Sequence, residues 1–330
     1  MNSRREERSF LKMPGRKGYL LLLFLMGVLF LASPLCAEVT GEITGAAPEV
    51  KQPWWIWPII LVAVTFVMGI VAVLAGIGGG VLFVPLISSF FPFHLDFVRG
   101  AGLLVALTGA LAAGPGLLKM NLASLRLAIP VALIASASSI VGAVIGLALP
   151  TEIVRIALGI AIIGICFLMI AAKKSEYPTV TQRDRIASTL RISGIYREMS
   201  TGERIDWKVH RTPLGLFLFI IIGFAAGMFG LGAGWANVPV LNIVMGAPLK
   251  ISVATSKFLL SVTDTSAAWI YMNEGCILPL IAIPSIIGIM LGSFVGVRLL
   301  PITKPVVIRW IVIATLAFAG IKTLACGLGF

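Results

Sequence analysis

Stretches of membrane-spanning length dominate this chain, near 54–75, 98–117, 125–149, 153–172, 252–272, 277–300 and 306–326, with shorter apolar runs near 80–92, 214–229 and 236–247. A bilayer core about 30 Å thick takes about 20 apolar residues per helix, and it offers unpaired backbone groups no partner. With 58% of 330 residues hydrophobic and only 12% charged, the chain carries more apolar surface than a soluble core of this size buries. Strand-like alternation is absent, which disfavours a barrel. The sequence therefore predicts an all-α polytopic membrane protein.

Two of the shorter runs open on related glycine-rich segments, "GIGGGVLFVP" at 76–85 and "GLGAGWANVP" at 230–239. Gly76, Gly78, Gly80, Val84 and Pro85 recur as Gly230, Gly232, Gly234, Val238 and Pro239, each 154 residues later. Gly69 and Gly223, Pro130 and Pro284, and Gly142 and Gly296 share the same spacing. The chain reads as two copies of one unit.

Charge placement orients them. Residues 1–18 hold six basic and two acidic residues, and 173–212 hold nine basic and five acidic. Basic residues concentrate on the cytoplasmic side. If the glycine-rich segments cross the membrane, residues 54–172 make five crossings, and Lys119, Arg126, the central loop, Lys250, Arg298 and Lys304 all lie inside. Five is odd, so the second copy enters from the opposite side. The expected architecture is two inverted-topology repeats of about five membrane segments each, with broken glycine-rich helices near the midplane, as in many secondary transporters.

The expected organisation is a signal peptide or N-terminal anchor at 1–37, an extracytoplasmic segment at 38–53, a first repeat at 54–172, a basic cytoplasmic loop at 173–212 and a second repeat at 213–330. The protein is expected in the plasma (inner) membrane. Around Arg183 to Tyr196 the loop has the composition of an amphipathic helix lying on anionic lipid, against the plainer reading of a solvated linker.

A helix that ends inside the membrane leaves N–H and C=O groups that something polar must satisfy. Glycine lets an anion approach such a broken end closely. Gly76, Gly78, Gly80, Gly230, Gly232 and Gly234 are accordingly candidate substrate-binding positions, although close helix packing by small residues would also explain them. Side chains break the symmetry: Trp235, Asn237, Lys257 and Asp264 correspond to Val81, Phe83, Leu103 and Ala110. Asn237, Thr255, Ser256 and Lys257 are candidate anion contacts. Lys257, Ser261 and Asp264 share one helix face. At 1.5 Å per residue Asp264 lies roughly 18 Å into its segment, near the midplane. A carboxylate there marks a proton or ion pathway, or else a structural pair with Lys257.

Other classes find little support. His94 and His210 lie in flanking loops, no nucleophile–base spacing or phosphate-cradling loop is present, and Cys36, Cys166, Cys276 and Cys326 are too scattered for a disulfide framework or metal cluster. The chain reads as a non-enzyme without cofactor or metal, whose partners are a small anion and the lipid bilayer rather than nucleic acid; nothing in it argues for an oligomer.

Across roughly 54 to 326 the sequence resembles the sulfite exporter TauE/SafE family, through "GIGGGVLFVPLI", "GLGAGWANVPVL", "GAPLKISVATS" and "GCILPLIAIPSIIGIMLGSFVGVRLL". The resemblance implies a secondary transporter for sulfite, organosulfonates or related sulfur-containing anions, proton-linked or gradient-driven. The glycine segments, Pro85, Pro239 and Ala254-Thr255-Ser256 match the family pattern. The first half departs from it with Ala101-Gly102 where Thr-Ser would be expected, which leaves the second half as the main polar contributor. The alternatives are a permease or channel for a different small anion, and a membrane assembly or maturation factor that transports nothing.

Overall fold

The computed structural model describes residues 55–75, 77–91, 93–119, 124–171, 184, 187–188, 192–197, 204–299 and 305–327. The expected signal or anchor, the segment at 38–53 and Gly76 lie outside them.

The first set of helices comprises α1 (Ile56–Ala75), α2 (Gly79–Phe90), α3 (Leu95–Lys119), α4 (Leu125–Ala148) and α5 (Thr151–Ala171). After a hairpin of β1 (Ser193–Arg197) and β2 (Arg204–Lys208) come α6 (Thr212–Phe229), α7 (Gly234–Pro239), which continues into a π-helical turn at Val240–Val244, α8 (Leu249–Asn273), α9 (Pro279–Leu299) and α10 (Pro305–Gly327). The starts of α3 and α8, of α4 and α9, and of α5 and α10 are each 154 residues apart.

Among the described residues six helices, α1, α3, α4, α5, α6 and α9, contain segments long and apolar enough to cross a membrane. Their outward faces carry large apolar side chains such as Leu133, Phe167, Phe217 and Phe294, with Phe167 73% exposed. A face of this kind has lipid as its solvent. The protein is a multi-pass membrane protein. The segment expected at 252–272 forms α8, 25 residues long, yet α8 falls outside the six because polar residues including Lys257 and Asp264 interrupt its apolar character.

Small residues set the packing. Gly288, Gly292 and Gly296 of α9 lie against Val62, Phe66 and Ile70 of α1, so these helices run parallel. Ala135 and Ser139 of α4 lie against Gly223 and Gly227 of α6, also in parallel. By contrast α5 and α10 run antiparallel, with Gly159 at Leu324 and Ile162 at Gly320. The pair α3 and α8 is antiparallel too: Arg99 meets Tyr271, and Ala106 and Asp264 share Gly232 as a neighbour. Backbones approach this closely only where a Cβ is missing; one built on Gly69 would lie 2.7 Å from the Ile289 carbonyl oxygen.

Within the stretch Arg183 to Tyr196, read as an amphipathic helix or a solvated linker, residues 187–188 are helical, and 185–186 and 189–191 lie outside the described residues. Residues 193–197 pair as an antiparallel strand with 204–208, Ser193 opposite Lys208 and Arg197 opposite Arg204. Ile192, Trp207 and Val209 are buried in a cluster with Leu127, Met245 and Ile251 at one end of the bundle. Strand alternation turns Trp207 inward between exposed Asp206 and Lys208. Asp184 caps α6, accepting hydrogen bonds from the Thr212 N–H and, at 3.1 Å, from the Thr212 hydroxyl. A second tie runs from the His210 N–H to the Met245 carbonyl at 3.0 Å.

Candidate functional site

The helical run from α1 breaks before Gly78, which takes an extended backbone (φ −75°, ψ 146°) and caps α2 without a side-chain bond. In the second half α6 ends at Phe229, and Gly230 and Gly232 take φ of 67° and 69° before α7 begins. Side chains rarely adopt that left-handed region, so glycine is required at both positions. Space requires it as well. A Cβ on Gly230 would strike the Arg99 backbone, and one on Gly232 would lie 2.9 Å from Asp264 Oδ2.

These two interruptions meet. A Cβ on Gly234 would lie 2.6 Å from the Gly78 nitrogen, and one on Gly80 would lie 2.6 Å from the Leu231 carbonyl oxygen. The α8 face that carries Lys257, Leu260 and Asp264 covers the junction. Leu260 Cδ1 is within 3.6 Å of where Cβ atoms on Gly78 and Gly234 would sit. One turn before Leu260, Lys257 Nζ donates to the Ile77 carbonyl at 3.0 Å. One turn after it, the Asp264 carboxyl faces Gly232, with the Thr263 hydroxyl 3.4 Å from Oδ1. Thus a single helix places its cation at the first interruption and its carboxyl at the second.

Both groups are withdrawn from solvent, Lys257 at 6% exposure and Asp264 at 0%. Lys257 does not extend to the surface, and no contact ion pair joins it to Asp264 among the described residues. Asp264 Oδ2, both polar side-chain atoms of Asn237 and Trp235 Nε1 are buried and have no hydrogen-bond partner there. Buried polar atoms are normally paired, so these atoms of α7 and α8 are exceptions.

The remaining candidates divide. Gly78, Gly80, Gly232, Gly234, Lys257 and Asp264 gather at the junction. Gly230 backs onto Arg99. Thr255 is fully buried, but its hydroxyl accepts from the Ser124 N–H at 3.3 Å and so ties α8 to the start of α4; Ser256 is buried beside it. Across the junction the α3 residues equivalent to Lys257 and Asp264 are the apolar, buried Leu103 and Ala110. No cluster of potential metal ligands occurs among the described residues.

Arg99 has no part in the sequence reading and has a large one in the structure. It is 1% exposed, and its Nη1 donates to Asp96 Oδ1 at 2.7 Å and to the Gly146 carbonyl at 3.2 Å. Its Nη2 donates to the Met228 carbonyl, and the guanidinium lies 5.3 Å from the Tyr271 ring centroid. The Tyr271 hydroxyl donates to the Gly227 and Met228 carbonyls at 3.1 and 3.3 Å. Helix C-termini leave carbonyls unpaired, and Arg99 serves those of α4 and α6 together. The available signal was a lone arginine three residues after an aspartate in an otherwise apolar run.

The family model described as "Sulfite exporter TauE/SafE" matches residues 60–323, which include both interruptions and all of α8. A Bacillus subtilis (strain 168) protein, "Probable membrane transporter protein YunE", is 23% identical over 245 residues, covering 72% of this chain and 86% of its own length. No solved structure matches the chain.

Proposed function

The chain belongs to the sulfite exporter TauE/SafE family of membrane transporters, and on that premise we propose that it is a secondary transporter that binds a small anion where Gly78 meets Gly234. The carrying observation is that Lys257 and Asp264 flank this junction from one helix, buried, with Asp264 Oδ2 left unpaired among the described residues. Lys257 and the backbone N–H groups of the interruptions receive the anion, and Asn237 supplies an adaptable amide. Asp264, near the midplane and out of contact with Lys257, carries the coupling proton. Thr255 and Ser256 brace α8 beneath the lysine. Sulfite, organosulfonates and related sulfur-containing anions are the substrate class, in keeping with the family's description.

The two halves act as inverted repeats. Three features support this: α3, α4 and α5 begin 154 residues before α8, α9 and α10, α3 and α5 run antiparallel to their equivalents α8 and α10, and contacts exchange between halves. Gly69 packs on Ile289 as Gly223 packs on Ala135, and Gly296 on Ile70 as Gly142 on Phe224. Such exchange is what a twofold axis across the helices produces, and for helices that span a bilayer that axis lies in its plane. In this reading the basic segment 173–212, with its hairpin, lies at the cytoplasmic face of the plasma membrane.

Uptake of labelled sulfite, a sulfonate and sulfate into proteoliposomes, with and without an imposed pH gradient, tests the reading against Asp264→Asn. Saturable, gradient-stimulated flux of one sulfur anion that loses its pH response in the variant is expected. Flux of none of the three anions under any gradient overturns the substrate class, and an unchanged pH response in Asp264→Asn overturns the role of Asp264.

A further inference from the structure

Lys257 and Asp264 bring one cation and one carboxyl to the junction, and the elements around it add no further charge at that depth among the described residues. Helix α8 packs on α3, α4, α6 and α7. No Asp, Glu, Lys, Arg or His occurs in α2, in α6, in α7 or in the π-helical turn that continues it. In α4 such a residue is found only as Arg126, exposed in the first turn, and in α9 only as Arg298, exposed in the last. Helix α3 ends on Lys119 and carries Asp96 and Arg99 near its start; these two are bonded at 2.7 Å and together add no net charge. Lys250, the second residue of α8, precedes Lys257 by seven residues, about 10 Å at the helical rise.

Net charge is costly in the middle of a membrane protein, where neither water nor a counter-ion offsets it. With Lys257 as an ammonium and Asp264 as a carboxylate, the empty junction is neutral as a whole. A monoanion bound there alone leaves one negative charge uncompensated. The same monoanion bound with a proton on Asp264 leaves none, because the protonated carboxyl drops out of the sum and the anion faces the lysine. Asp264 is placed to take that proton without competing for the anion: it is buried two turns along α8 from Lys257, at the other interruption. A dianion leaves a negative charge even when Asp264 is protonated, since the equivalent positions of α3 hold the apolar Leu103 and Ala110.

Resting on the anion-transport reading above, we propose that the junction loads one monoanion together with one proton on Asp264, so that its empty and loaded forms are both neutral, and that it excludes dianions by charge. The substrate class narrows to hydrogensulfite and sulfonate monoanions, and sulfate falls outside it. Transport is electroneutral, one proton per anion. A pH gradient drives it, and a membrane potential, which does work only on net charge that crosses, does not.

The test uses the full-length protein in proteoliposomes with labelled methanesulfonate, a monoanion with no second ionisation, while valinomycin and potassium set the potential independently of pH. With the potential held at zero, an acidic exterior should raise initial uptake several-fold; at equal pH on both sides, potentials of either sign should leave it unchanged. Uptake that rises when the interior is made positive, or that ignores the pH gradient, overturns the proposal and leaves the anion-transport reading standing. Unlabelled ethanesulfonate should compete at a concentration at least roughly tenfold below that of ethanedisulfonate, as one uncompensated buried charge requires; equal competition overturns exclusion by charge. In Asp264→Asn the empty junction keeps the Lys257 charge, so uptake that persists should rise with a positive interior. Persistent uptake indifferent to the potential overturns the pairing of proton with anion. Uptake of sulfate but not of methanesulfonate overturns the monoanion assignment alone, and uptake of neither sulfonate, sulfite nor sulfate overturns the reading beneath it as well.

Discussion

Gly78 and Gly234 stand 156 residues apart in the chain yet touch at the centre of the bundle, so close that a methyl group on Gly234 would lie 2.6 Å from the Gly78 nitrogen. Gly234→Ala is therefore expected to force the two interruptions apart, costing about 1–3 kcal/mol as overpacking does, and to depress transport. Gly164, in α5, has open space around its Cβ position, and Gly164→Ala should leave the protein unchanged or slightly more stable. Thermal unfolding and uptake measured on both variants check the contrast; equal behaviour would show that the contact is unimportant.

Lys257 holds the Ile77 carbonyl at 3.0 Å and is the cation on the α8 face at the junction. Lys257→Met keeps the length of the side chain and removes the charge and the donor. Hydrogen bonds from charged groups contribute about 1.5–3 kcal/mol, so apparent anion affinity should fall at least roughly tenfold, read as the concentration for half-maximal uptake. Unchanged half-maximal uptake would remove Lys257 from the site.

Arg99 and Tyr271 share the Met228 carbonyl. Arg99→Met leaves buried carbonyls at Gly146 and Met228 without that donor, and should cost about 3–5 kcal/mol, as breaking a buried charged network does. Tyr271→Phe loses only its hydroxyl and should cost about 0.5–1.5 kcal/mol. Unfolding midpoints in one detergent rank the pair; a milder loss for Arg99→Met than for Tyr271→Phe contradicts the assignment.

Exposed Asp206 on the hairpin and exposed Glu152 and Glu274 at the opposite helix ends test orientation. In a cysteine-free background, Asp206→Cys should react with an impermeant thiol reagent only from the cytoplasmic side, and Glu152→Cys and Glu274→Cys only from outside. Labelling of all three from one side would remove the inverted arrangement.

Much of the fold was legible because it rests on local properties. Span length follows from counting apolar residues against the thickness of hydrocarbon, and α3, α4 and α5 recur as α8, α9 and α10 at the spacing of the glycine motif. Lys257 and Asp264 share a face because 3.6 residues make a turn. Where local reading failed, partners were remote. Nothing in the segment near Arg183 to Tyr196, read alone, indicates that Ile192 and Trp207 bury themselves against the bundle beside the paired strands 193–197 and 204–208. Arg99 drew no attention in the sequence because the last carbonyls of α4 and α6 that it serves are remote from it along the chain.

By itself, then, the sequence determined that this is a helical membrane protein written as two related halves, with its polar chemistry concentrated in the second. Only the tertiary structure decided that the two interruptions touch, that Lys257 turns to a carbonyl 180 residues away instead of to Asp264, and that one helix serves both breaks. Helical periodicity sets which way a side chain points from its own axis, whereas its partner depends on how closely the neighbouring backbones approach. Here that approach is set by glycine surfaces packing across the halves, a property of pairs of helices that no single segment contains.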